Sequence, residues 1–385
     1  MSRNTYLVLF QFFNQSAFAG ARFLVALYAV HQQASPFVIG LLVALFSMAP
    51  AFLTVPAGKL IDRIGTRIPL QLSLVIMFMV VFMLFFQTRM ELLYLVAPVV
   101  GTAFFTVYVG ASTLANHHST PEERPANFSR ISVGIAAAQG LAPLILGLCA
   151  EHLGYASAFA VAALFPLLCW GVFQLSGIDH LGPREHSGAQ GKQGSTLALL
   201  RDPLMRPVFI ISTLFIFAWD IFLVMSPIYG SQVGLSASQI GLLMSAFALA
   251  SFMVRFLGAS LSRLYTPWQL LLVALVVEAA GTIAFGLVTV LPLLLLASAV
   301  IGLGYGLCGP MTSTALYAVA PKERASEAMG LRLSLGMAAQ SVVPLIVGSA
   351  GSFLPAGLIF VVTGLIVLMG AALQRRQWKG RPEGR

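Results

Sequence analysis

Long apolar runs separated by short polar turns occupy the chain from about residue 5 to residue 374. Twelve runs stand out, at about 5–31, 36–58, 67–87, 91–115, 128–150, 155–176, 207–230, 236–260, 266–288, 290–319, 326–350 and 355–374. Each is near or above the ~20 residues that carry a helix across a hydrocarbon core. Helix is the conformation the pattern predicts, because a backbone in lipid has no water to satisfy its polar groups.

Composition sharpens this picture. The chain has 385 residues, of which 58% are hydrophobic and only 9% charged, and its mean hydropathy is +0.89. Soluble domains carry roughly 25% charged residues, so there are too few here to cover a globule. The net charge of +9 raises the question of nucleic acid, but the positions of the basic residues answer it. Of 22 Lys and Arg, 18 fall in the N-terminus, the even-to-odd loops (59–67, 116–130, 177–206, 261–265, 320–325) or the tail; the others are Arg22, Arg89, Arg255 and Arg332. This asymmetry predicts that both termini are cytoplasmic. The basic excess is a topology signal with anionic membrane lipid as its partner, and no nucleic-acid partner is expected. Cys149, Cys169 and Cys308 are isolated within runs and read as apolar fillers, without disulfide or metal spacing. No cofactor or metal is expected. The first apolar run is too long for a cleavable signal and reads as a span.

The chain is doubled. Ala138-Gln139-Gly140-Leu141-Ala142-Pro143-Leu144-Ile145-Leu146-Gly147 matches Ala339-Gln340-Ser341-Val342-Val343-Pro344-Leu345-Ile346-Val347-Gly348 at an offset of 201. The same offset aligns Ile39-Gly40-Leu41-Leu42 with Ile240-Gly241-Leu242-Leu243, and Tyr28, Phe46 and Gly101 with Tyr229, Phe247 and Gly302. Chance explains any single match among apolar helices, but not several at one spacing. Two related six-span halves are expected: 1–176 and 207–374, with a linker at 177–206 and a tail at 375–385. The linker part from Ser187 to Ser195 has a flexible composition, and Thr196 to Met205 is expected to form a short surface helix.

Between the second and third runs lies Gly58-Lys59-Leu60-Ile61-Asp62-Arg63-Ile64-Gly65-Thr66-Arg67, four charges in ten residues. Its pattern, G-x-x-x-D-R-x-G-x-R, resembles the loop joining helices two and three of the major facilitator superfamily. The resemblance and the repeat together imply an all-α integral membrane protein, with twelve transmembrane helices in two pseudo-symmetric six-helix bundles. They imply a secondary transporter, not an enzyme, monomeric in the bacterial cytoplasmic membrane, with its substrate site between the halves at mid-membrane. In that family the Asp approaches the positive end of a helix in the other half, here helix 11, where a carboxylate is favourable by about 0.3–1 kcal/mol. Gly58 and Gly65 permit a tight turn, and Arg63 and Arg67 add ionic or head-group contacts. The functional reading is a cytoplasmic latch; the structural one is a topology-setting turn. In the second half Arg263 stands where Asp62 does, so an asymmetric gate is expected.

Five ionisable residues fall inside spans: Arg22, Asp220, Arg255, Glu278 and Arg332. Such groups are costly in hydrocarbon and default to functional candidates. By the register Asp220 aligns with Ala19, one turn from Arg22, so the two differ in depth by roughly 5 Å. By the resemblance, helices 1, 4, 7 and 10 line the cavity, and Arg22 and Asp220 are expected to face one another across it. Substrate displacing Arg22 would let Asp220 take a proton; a static ion pair is the structural alternative. Glu278, on a helix the family places at the periphery, is either a second proton-coupling group or an acid bonded to a neighbouring helix. Arg255 and Arg332 lie nearer cytoplasmic helix ends. They either snorkel to the interface or form an inner gate with acids such as Glu123, Glu323 or Glu327.

Gln139 and Gln340, each one turn before a proline, either enter the cavity as symmetric hydrogen-bonding groups or stitch helices together. With Arg22, Asn14, Gln15, Tyr28, Trp219, Tyr229 and Tyr305 they make up the expected substrate pocket, aromatic and apolar with scattered hydrogen bonders. Two readings follow. The first is a proton-coupled antiporter exporting small amphipathic or drug-like molecules. The second is a proton-coupled importer of a small organic anion held by Arg22. Against the first, the span-5 glycine-proline pattern of such exporters is only approximated by Gly134, Gly140, Ala142-Pro143 and Gly147; span 4 has no Arg and span 1 no acid. A membrane enzyme or receptor is the remote alternative, since no nucleophile or metal constellation lies at membrane depth.

Overall fold

The computed structural model describes residues 3–117, 124–175, 196–261, 264–321 and 324–379. Among these it has twelve helices and no strand: α1 (Arg3–His31), α2 (Pro36–Ile64), α3 (Arg67–Phe86), α4 (Met90–His117), α5 (Arg124–Leu175), α6 (Thr196–Arg201), α7 (Arg206–Gln232), α8 (Ala237–Leu261), α9 (Pro267–Leu287), α10 (Leu291–Val319), α11 (Ala325–Gly351) and α12 (Ala356–Lys379). Ten of them are long and apolar enough to cross a membrane. α1 is 29 residues long but falls outside that set, because Gln11, Asn14, Gln15 and Arg22 dilute its apolar character.

Local chemistry sets the ends. Ser35 caps α2 by accepting from the Val38 N–H (3.4 Å), with Pro36 in the first turn. Thr266 and Gln269 form a reciprocal capping box at the start of α9. The expected spans 128–150 and 155–176 join as one helical run, α5, broken at Gly154, whose φ of 80° and ψ of 164° suit a residue without Cβ. The turn 151–154 therefore separates two spans. The expected surface helix is present as α6, and the Asp202 carboxylate accepts from the Leu204 N–H beyond it (2.7 Å).

The charged turn after α2 is shorter than the expected loop 59–67. α2 continues through Lys59, Asp62 and Arg63 and stops at Gly65, whose N–H bonds the Ile61 carbonyl at 2.9 Å. The helix runs on past Pro56 and Gly58 and stops where Gly65 takes a φ of 84°. α12 likewise runs on to Lys379.

The chain forms two compact units. One is Met1–Ser187 with Gly230–Ser245; the other is Gly188–Tyr229 with Ala246–Arg385. In the first, α1 packs along α5 and α2 along α4, with α3 against α4 and α5. In the second, α9 lies between α10 and α12.

The repeat read from sequence reappears as repeated contacts. The Tyr28 hydroxyl donates to the Thr88 carbonyl at 2.8 Å, and the Tyr229 hydroxyl donates to the Val288 carbonyl at 2.8 Å. A Cβ on Gly101 would collide with the Phe46 carbonyl, and one on Gly302 with the Phe247 carbonyl. Each glycine lets α4 or α10 pass close to α2 or α8.

Candidate functional site

Most of the intramembrane charge is gathered in the second unit. Asp220 on α7, Arg255 on α8, Glu278 on α9 and Arg332 on α11 all lie within electrostatic reach of the Tyr305 hydroxyl on α10. Asp220 and Glu278 are fully buried. Taking an ion out of water costs several kcal/mol unless partners compensate, so these are costly groups to bury on four helices about a fifth.

Tyr305 is the hub of an aromatic cluster. Trp219 stacks on it with centroids 5.2 Å apart and planes 18° apart. Phe247 and Phe215 close in at 5.4 and 5.7 Å. Trp219, Arg255 and Tyr305 are each part-exposed. The Trp219 Nε1 and the Arg255 Nε are buried and have no hydrogen-bond partner among the described residues.

Arg332 is held by hydroxyl groups among the described residues. It is 8% exposed, so it does not snorkel. Its Nε donates to the Ser212 hydroxyl (3.0 Å), Nη2 to the Thr312 hydroxyl (2.8 Å) and Nη1 to the Ser313 hydroxyl (3.2 Å). The expected acidic partner Glu327 is instead 2.8 Å from Arg324, one turn away on the same helix end. Glu123 and Glu323 lie outside the described residues. Neutral hydroxyls thus staple α11 to α7 and α10.

The Glu278 Oε2 accepts from the Cys308 thiol of α10 at 3.9 Å, while its Oε1 has no partner among the described residues. α10 comes this close because residue 304 is glycine: a Cβ there would lie 2.6 Å from the Glu278 nitrogen. Cys308, read as an apolar filler, is therefore a contact of a buried acid.

In the first unit α1 carries a buried polar stripe. Gln11, Asn14, Gln15 and Arg22 are 3%, 0%, 9% and 6% exposed, and their spacing puts them on one helical face. Neither the Asn14 amide atoms nor the Gln11 Oε1 has a partner among the described residues. Phe18, on the same face, stacks on Phe104 at 4.2 Å and 18°. Gln139 and Gln340 are half-buried on α5 and α11. Tyr28 and Tyr229 spend their hydroxyls on backbone carbonyls at helix turns, which ties helices together. Around the α2 end, Arg63 and Arg67 are exposed; the side chains of Gly58's neighbour Lys59 and of Asp62 lie outside the described residues.

Sequence reasoning passed over Glu151. In the turn between the two halves of α5, its carboxylate accepts from the Ser238 N–H at the start of α8 (2.9 Å). Hydrogen bonding from Ser238 and then Ser236 pulls it down from the usual carboxylate range to about 2. Close packing accompanies this contact: Gly147 passes Ala237, Gly241 passes Pro143, and the Ser245 hydroxyl donates to the Gly140 carbonyl at 2.7 Å. An acid at an exposed helix turn was the available signal.

Residues 7–344 match the profile of the Major Facilitator Superfamily. A mutant form of the nucleoside transporter NupG has the same fold with a TM-score of 0.81, at 14% identity, covering 97% of this chain and 100% of its own. A POT family transporter in complex with a thioalcohol-conjugated peptide reaches 0.80, at 14% identity and 98% and 96% coverage. A bacterial homologue of the human lysosomal transporter Spinster reaches 0.75, at 15% identity and 100% of both chains. No curated protein sequence matches significantly. At these identities the likeness speaks for the fold alone: an all-helical, multi-pass architecture of two six-helix bundles. With most of its length matching the family profile, the chain belongs to the Major Facilitator Superfamily.

Proposed function

We propose that the protein is a proton-coupled secondary transporter that works by rocker-switch alternating access and exports small amphipathic, drug-like molecules. The observation that carries this reading is the gathering of Asp220, Glu278, Arg255 and Arg332 about Tyr305, in a bundle whose other buried side chains are mostly apolar. Charges that packing does not require are the expected mark of an ion pathway. On this reading Asp220 takes up and releases a proton in the transport cycle, and Glu278 is a second proton site behind α10. The aromatic cluster at Tyr305 supplies the apolar wall for an amphipathic substrate.

The test uses purified protein in liposomes loaded with a pH-reporting dye. An imposed pH gradient should drive, or be dissipated by, movement of at least one member of a panel of amphipathic cations, neutral compounds and acids. The substrate-induced proton flux should vanish in Asp220→Asn. A variant that keeps full flux removes Asp220 from the coupling role. The second reading, import of a small organic anion, rests on the burial of Arg22 at 6% exposure; it requires uptake that Arg22→Glu abolishes.

A further inference from the structure

We propose that Trp219, Arg255 and Tyr305 form a recognition subsite, within the second unit, for a planar aromatic group bearing a carboxylate. This deepens the transport reading and rests on it: it names the chemistry of the substrate. Buried N–H groups almost always have partners, yet the Trp219 Nε1 and the Arg255 Nε have none among the described residues. Both are donors, so whatever completes them is an acceptor. One of the two belongs to a permanent cation whose fork matches a carboxylate, so the favoured acceptor is an anion.

The other guanidinium of this unit shows what a satisfied one looks like. Arg332 has given Nε, Nη1 and Nη2 to Ser212, Ser313 and Thr312. Among the described residues Arg255 has no such hydroxyl for its Nε. α8 carries Phe247, Ser251 and Arg255 at four-residue spacing, which places them on one face. That face meets α10: Phe247 lies 5.4 Å from Tyr305, and a Cβ on Gly306 would contact Ser251. Arg255 thus continues a line of α8 residues already packed along α10, and its charge acts on Tyr305.

Beside these donors stands a ready-made slab. Trp219 and Tyr305 are stacked and part-exposed, whereas Asp220 and Glu278 are fully enclosed. A flat apolar ring adds to such a slab by offset or edge-on contact. The equivalent residues of the first half are Phe18, Phe104 and Thr54, which keep the stack and lack both donors, so recognition of the anion falls to one half only.

The experiment compares 2-naphthoate with 2-naphthamide, which share shape and differ in charge. Binding to the purified full-length protein is followed by tryptophan quenching and by thermal shift. Naphthoate should bind about tenfold or more tightly than the amide, since charge-assisted bonds are roughly twice as strong as neutral ones. Arg255→Gln should bring the two within about twofold. Arg255→Lys, which keeps the charge without the fork and guards against a folding defect in the first variant, should retain an intermediate preference. Trp219→Phe should weaken both compounds and remove most of the quenching. Equal binding of the two compounds, no binding of either at saturating concentration, or an undiminished preference in Arg255→Gln overturns the proposal. Naphthoate binding without any proton-linked transport in liposomes would sink the transport reading and leave the subsite standing; transport of other compounds without naphthoate binding would do the reverse.

Discussion

The same stacked ring pair occurs twice in this molecule, once inert and once armed. Phe18 on Phe104 in the first unit and Trp219 on Tyr305 in the second are 201 residues apart member by member, and both pairs lie 18° from parallel. Glu278 likewise takes the place of Met77, which is fully buried in the first half, and Asp220 takes the place of Ala19. The first half shows what the architecture requires at these positions: size, flatness and closeness. The polar atoms in the second half stand where the first half has apolar side chains. The first half has its own additions on α1, where Asn14, Gln15 and Arg22 are buried opposite Phe215, Ile216 and Leu223 in the repeat.

The largest effect that would sharpen this contrast is at Asp220. Asp220→Asn preserves volume and should reduce proton-driven transport by about 100-fold or more, the scale on which removing a proton-transfer group acts. Ala19→Asn, its counterpart, should leave the proton response in place even if folding suffers. Equal loss in both would mean that polar disturbance rather than proton chemistry is responsible.

Next come the two glycines that should behave alike if the scaffold is truly shared. Gly101→Val and Gly302→Val each drive a side chain into a backbone carbonyl, Phe46 or Phe247. Each should cost about 1–3 kcal/mol or more, read as matched falls in thermal stability. A large fall at one and none at the other would break the comparison at the level of packing.

Glu278→Met installs the residue the first half already uses. Replacing buried ionic groups by apolar side chains is often neutral or stabilising by about 1–4 kcal/mol. Thermal stability should therefore hold or rise, while the pH dependence of transport weakens. A destabilised Glu278→Met protein would show that the acid is structural.

How much of this could be read without coordinates follows from what each feature depends on. The spans were legible because lipid imposes a composition on about 20 residues at a time, and the helices end within a few residues of the expected places. The end of α2 was misplaced because charged residues can prolong a helix into the head-group layer; Gly65, not Lys59, is the stop. The five intramembrane charges were legible as positions. The convergence of four of them, Asp220, Arg255, Glu278 and Arg332, on Tyr305 was not, because it depends on how five helices rotate against one another. Arg332 illustrates the gap: its sequence neighbours suggested acids, whereas Ser212, 120 residues away, reaches it through packing. Cys308 was passed over for the same reason, since only the notch at Gly304 brings it to Glu278.

Smaller effects are expected at the paired tyrosines. Tyr28→Phe and Tyr229→Phe each remove one hydrogen bond to a turn carbonyl, worth about 1 kcal/mol. Their thermal shifts should agree closely, and neither should change substrate affinity. A selective loss of binding in Tyr229→Phe would return that residue to the substrate pocket.

The smallest effect concerns Glu151, which has no charged counterpart in the contact it makes. Its carboxylate is held near 2, against 4.5 when free, by the Ser238 and Ser236 bonds. A depressed acid stabilises its contact fully above the free value and loses that contribution as pH falls through the bound one. Glu151→Gln should therefore weaken the tie between the α5 turn and the start of α8 at neutral pH by about 0.3–1 kcal/mol, less in high salt because the site is exposed. The gap between variant and wild type should narrow as pH is lowered from 4.5 toward 2. Hydrogen exchange at the Ser238 amide reads this directly, because the amide is protected only while the carboxylate accepts from it. Protection that is unchanged in Glu151→Ala, which removes the acceptor that the glutamine amide oxygen would keep, would mean that the glycine crossings at Gly147 and Gly241 hold this end of α8 by packing alone.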